Sequence, residues 1–75
     1  MQGRRIFTEN EADIIRGLIE KKVIASPKEQ KRIRNRIRQK GFYYTDFLNR
    51  RILGGYTVAD FNELIESGLI TIINN

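Results

Sequence analysis

The sequence predicts a mainly α fold: a compact bundle of about four short helices with a minor C-terminal β-strand, so that a small α+β arrangement is the variant. Three observations carry this expectation. A Ser or Thr stands three positions before an acidic residue at Thr8/Glu11, Ser26/Glu29 and Thr57/Asp60, a spacing in which each side chain can satisfy a backbone N–H at a helix start. Apolar residues recur at helical spacing behind these pairs. The chain closes on Leu69-Ile70-Thr71-Ile72-Ile73, a run of strand formers. Seventy-five residues fit one domain, 1–75. A chain of this size buries only about 60% of the surface its unfolded form exposes, which leaves it marginally stable.

The first helix is expected from the Thr8 cap to Val23 or Ile24, with Ala12, Ile15, Ile19 and Val23 as its apolar stripe, widened by Leu18. Ser26 caps the second, 27–40. Pro27 takes the first helical position, where its missing N–H costs little, Glu29 completes the box, and Gly41 suits a left-handed C-terminal cap. Phe42-Tyr43-Tyr44 reads as an extended stretch or a tight connection, its aromatics weighted toward the core. Thr45 can cap a short third helix running through Leu53 and ended by Gly54-Gly55. A fourth, roughly 57–67, would bury Val58, Phe61, Leu64 and Ile65, with Tyr56 and Phe61 placed as a hydrophobic staple and Gly68 as its end. The strand at 69–73 needs a partner for its backbone groups. Arg4 to Phe7, Phe42 to Tyr44, or the same strand of a second copy can supply it.

Charge is unevenly spread. The net charge is +5. Ser26 to Gly41 holds seven basic residues and one acid, a net of +6; Met1 to Ala25 has five against four, and Phe42 to Asn75 two against four. At 100° per residue, Ile33 and Ile37 form one narrow apolar line on the second helix. Lys31, Arg34 and Arg38 lie on one flank, and Lys28, Arg32 and Arg36 on the other. Lys28–Arg32, Arg32–Arg36, Arg36–Lys40 and Arg34–Arg38 are like-charge neighbours at i,i+4, each costing about 0.2–0.5 kcal/mol at low salt. Phosphates would quiet such a row while releasing counterions. The expected partner is therefore DNA or RNA, with Lys28, Lys31, Arg32, Arg34, Arg36, Arg38 and Lys40 meeting phosphate, Asn35 and Gln39 placed for an adenine edge, and Tyr43 for stacking on a base. Two competing expectations remain. Asp60, Glu63 and Glu66 share a helix face and could answer the arginines within one chain or between two, and the chain could instead be an interaction module or homodimer, with Leu69–Ile73 pairing across chains and the basic helix meeting an acidic protein surface. In outline, helix 8–24, the turn at Ala25-Ser26 and helix 27–40 resemble a helix-turn-helix. Ala25-Ser26-Pro27 stands where that motif often has glycine, and basic residues surround the second helix more widely than a groove-reading face requires.

Catalysis is not expected. The chain has no cysteine and no histidine, which removes the usual nucleophile–base pairs and the commonest metal ligands. Asp60, Glu63 and Glu66 read as a solvated face rather than a cation site. Ser26 and Ser67 read as helix-end residues, and no phosphate-loop or nucleophile-elbow motif occurs. No cofactor, metal or small-molecule substrate is expected. Nowhere do about 18 apolar residues stand together, so no membrane span is expected. Acidic residues follow the N-terminal arginines closely, unlike a secretory leader, and the expected location is cytoplasmic.

Overall fold

The computed structural model describes residues 3–47 and 56–74. Its elements run β1 (Ile6–Thr8), α1 (Glu9–Ile24), α2 (Pro27–Gln39), a 3-10 turn (Tyr44–Phe47), α3 (Val58–Glu66) and β2 (Thr71–Ile73). The fold is thus mainly α with a minor two-stranded sheet. The described residues contain three α-helices. Of the expected helix 45–53, they contain only the end of the 3-10 turn; 48–53 and the Gly54-Gly55 stop lie outside them.

The caps explain where the helices begin. Thr8 accepts a hydrogen bond from the Glu11 N–H at 3.1 Å, and Glu11 accepts one from the Thr8 N–H at 2.9 Å. Thr57 and Asp60 close the same reciprocal pair at the start of α3. At α2 only half of the expected box forms. Ser26 accepts from the Glu29 N–H at 3.4 Å, but the Glu29 carboxylate turns toward Arg32, 3.9 Å away. In a helix this basic, the nearest cation outcompetes a backbone N–H for that carboxylate.

The helix ends follow from two glycines. Gly41 has φ +97° and Gly68 φ +84°. At α2 the Gly41 N–H reaches the Arg38 carbonyl and the Phe42 N–H the Ile37 carbonyl. At α3 the Gly68 N–H reaches Ile65 and the Leu69 N–H reaches Leu64. Both are the paired bonds of a Schellman ending, which satisfy carbonyls that the helix itself leaves open.

The strand finds its partner at the N-terminal segment. β1 and β2 pair in parallel with Ile6 opposite Thr71, Phe7 opposite Ile72 and Thr8 opposite Ile73. All three helices lie in the crossover between the strands, as a parallel pair demands. Residues 42–44 are not the partner. Gly3 and Arg4 meet that loop instead, through the Arg4 N–H to the Gly41 carbonyl at 2.7 Å and the Gly3 N–H to Asp46 at 2.8 Å.

Phe42 is the hub of the core. Its ring centroid lies 5.0 Å from that of Phe61, 5.8 Å from Tyr56, 6.0 Å from Phe47, 6.1 Å from Tyr44 and 6.4 Å from Phe7. The staple residues Tyr56 and Phe61 thus both pack on Phe42. Ala12, Ile15, Ile19, Ile33, Ile37, Leu64 and Ile70 complete the buried set. One expectation about α1 is corrected here. Val23 is 54% exposed, whereas Lys22 is buried at 9%. The packed side of the last turn faces Tyr56, and Lys22, not Val23, points there: its Nζ sits 4.2 Å from the Tyr56 ring centroid.

Candidate nucleic-acid interface

α2 touches the core through Ile33 and Ile37, its only two buried residues, as the narrow apolar line requires. Gln30 is half-buried and donates to the Ala25 carbonyl at 3.1 Å, tying the start of α2 to the end of α1. The rest of the helix turns outward. Lys28, Lys31, Arg32, Arg34, Asn35, Arg36, Gln39 and Lys40 are exposed, while Arg38 and Tyr43 are half-buried.

The acidic face of α3 does not answer these cations. Among the described residues, the one carboxylate within 4.0 Å of any α2 cation is Glu29, 3.9 Å from an Arg32 that is itself 79% exposed. Asp60 is held by its own cap, accepting from the Thr57 N–H at 2.8 Å and the Thr57 hydroxyl at 3.2 Å. Asp60 and Glu63 act instead on Tyr44, whose phenol is pushed up first by burial and then by those two charges.

Two arginines outside α2, Arg4 and Arg16, are engaged. Arg4 holds Glu11 through two bonds of 2.8 and 3.2 Å. That pairing, with the Thr8 N–H, draws the Glu11 carboxyl down to about 2. Arg16 holds Asp13 at 3.0 Å and Asn62 at 2.9 Å, with its guanidinium 5.6 Å from the centre of Phe61. With Arg4 and Arg16 paired, and every α2 cation but Arg32 more than 4.0 Å from any carboxylate among the described residues, α2 presents an unbalanced positive surface.

Sequence reasoning missed Lys22, a buried cation beneath this surface. Burial lowers its pKa, and the charge of Arg34 lowers it further, so α1 adds a cation close to the α2 row. Tyr56, beneath that ammonium, is pushed up to about 12, chiefly by burial, with Arg38 and Arg34 opposing the rise. The only signal for Lys22 in the sequence is its place three residues after Ile19, a position that the apolar Val23 beside it obscures.

Tyr43, expected as a stacking surface, is occupied. The Arg38 guanidinium lies 5.5 Å from its ring centroid, and a Cβ added at Gly3 would come within 2.8 Å of its Cδ1. Among the described residues no three carboxylates gather where a metal ion could sit, and no helix is long and apolar enough to cross a membrane. No protein-family model matches the chain, and neither a curated protein nor a solved structure is significantly similar to it.

Proposed function

We propose that this protein is a small cytoplasmic nucleic-acid-binding accessory protein that works by binding rather than catalysis, with α2 as its contact element. One observation carries the reading: five of the six cations on α2, and Lys40 at its C-cap, have no carboxylate within 4.0 Å among the described residues, although like charges crowd one another along the helix. Lys31, Arg34 and Arg38 form one row and Lys28, Arg32 and Arg36 a second. Most contacts are to phosphate, which is strongly salt-dependent and carries no sequence information directly.

The test is a gel shift on DNA and RNA probes with the triple variant Lys31→Ala, Arg34→Ala, Arg38→Ala. Binding falls steeply in the variant, and the slope of log affinity against log salt flattens by about 0.9 for each lost phosphate contact on B-DNA. Unchanged affinity and slope refute the assignment.

A second reading has its own support. Ile6 (51% exposed) and Ile73 (45%) stand exposed on the β1–β2 sheet, with Leu69 (44%) exposed in the turn just before β2, which favours a protein partner or a homodimer through Leu69–Ile73. Light scattering decides the homodimer: a monomer at high concentration removes it.

A further inference from the structure

We infer that the nucleic acid is a B-form DNA duplex, held by α2 lying in the major groove with its two arginine flanks reaching the phosphates of opposite strands. This rests on the reading of α2 as a nucleic-acid contact and names the class of polymer it takes.

The first argument concerns the aromatic rings. Proteins that hold single strands offer open ring faces on which unpaired bases stack. All seven aromatic side chains of this chain lie within the described residues, and each is buried or half-buried. Phe7, Phe42, Phe47 and Phe61 belong to the core or pack against it. Tyr44 and Tyr56 stack on each other with centroids 4.3 Å apart, and Lys22 lies over Tyr56. Tyr43 is half-buried, with the Arg38 guanidinium over its ring and Gly3 close to its Cδ1. A single strand would find charge here but no stacking surface.

The second argument concerns the placement of the cations. Ile33 and Ile37 define the inward side of α2. At 100° per residue the opposite direction passes through Asn35, with Gln39 about 40° away. Arg32 and Arg36 then lie about 60° and 100° to one side, and Arg38 and Arg34 about 60° and 100° to the other. The layout places Asn35, Lys28, Gln39 and Lys31 within about 40° of the midline, with guanidinium groups spreading from both sides. A flat contact with one strand would use one flank and leave the other in water. A groove with phosphates on both walls uses both flanks, so the cations beyond a base-reading face meet the walls while Asn35 and Gln39, with Lys28 and Lys31 beside them, face the base edges. An α-helix with its side chains is about 10–12 Å across, and the B-form major groove is about 12 Å wide. The A-form major groove is too deep and narrow for side chains to read, which sets duplex RNA apart. α2 has 13 residues, about 20 Å of helix, so one molecule covers about six base-pair steps of 3.4 Å.

The experiment compares a 16-base-pair DNA duplex, its separated strands and an RNA duplex of the same sequence by fluorescence anisotropy at one salt concentration. The DNA duplex is bound at least tenfold more tightly than the others, and a major-groove ligand such as methyl green competes. Arg32→Ala/Arg36→Ala and Arg34→Ala/Arg38→Ala each flatten the salt slope by about 1.8, two contacts at 0.9 apiece. Equal or tighter binding to single strands or to the RNA duplex overturns the inference and leaves the broader function standing. Competition by a minor-groove ligand alone, or a slope that responds to only one arginine pair, overturns it too. Absence of binding to every probe sinks both the inference and the proposed function.

Discussion

At the scale of single residues, Gly41 and Glu11 show how one side chain or its absence sets local geometry. Gly41 ends α2 at φ +97°, and a Cβ there would also come within 2.7 Å of Arg4 Cδ. An L-residue in that left-handed conformation costs about 1–2 kcal/mol. Gly41→Ala is expected to lower stability by at least that amount in a denaturant titration; a change under a few tenths contradicts the account. Glu11 is a matter of charge. Its carboxyl is held at about 2 by Arg4 and Thr8, below its ordinary value near 4.5. A depressed acid contributes stability above its unfolded pKa and loses it as pH falls through the folded one. The stability gap between wild type and Glu11→Gln is therefore expected to be full at neutral pH and to close between about 4.5 and about 2. Unfolding curves across that window check it, and a gap that persists unchanged at pH 2 contradicts the pairing.

At the scale of elements, α2 is the unusual one. It is well begun and well ended, by Ser26 with Pro27 and by Gly41, yet its surface works against it. Arg36 has like charges four residues away on both sides, at Arg32 and Lys40. Arg36→Gln is expected to raise the stability of the free protein by about 0.4–1 kcal/mol at low salt, twice the cost of one such pair, while weakening the proposed DNA binding. Added salt is expected to act in the same two directions, raising the melting temperature of the free protein and lowering its affinity, because one screening effect relieves the helix and competes with the phosphates. Calorimetry with and without duplex checks both signs. A free protein whose melting temperature falls with salt contradicts the picture of an unneutralised helix.

At the scale of the whole molecule, the core is an aromatic cluster around Phe42 with isoleucines from α1 and α2 beside it. A domain of 75 residues has a total stability of about 4–11 kcal/mol at the usual 0.05–0.15 kcal/mol per residue. Removing a buried phenylalanine costs about 3–5 kcal/mol, most or all of that reserve. Phe42→Ala is expected to abolish cooperative unfolding by circular dichroism, whereas Phe42→Leu retains a weakened transition. A fully stable Phe42→Ala variant would place the centre of the core elsewhere. The same cluster shapes the proposed contact surface, since it draws the tyrosines inward and leaves the polar side of α2 outward.

Local chemistry is what the sequence alone determined. Thr8, Ser26 and Thr57 start helices and Gly41 and Gly68 end them because capping and left-handed backbone act within a few residues. The narrow Ile33–Ile37 line and the surrounding cations are legible for the same reason, since helical geometry alone sorts them. Tertiary structure decided what depends on a distant neighbour. Lys22 replaces Val23 on the packed side because Tyr56, 34 positions away in sequence, comes to lie there. β2 pairs with β1 and not with 42–44, while Gly3 and Arg4 bond to Asp46 and Gly41 on either side of that stretch. Asp60 serves its own cap rather than α2, and Tyr43 is covered by Arg38. Spacing along a chain specifies which groups can meet within a helix; which surfaces face one another across the fold is settled only when the core closes.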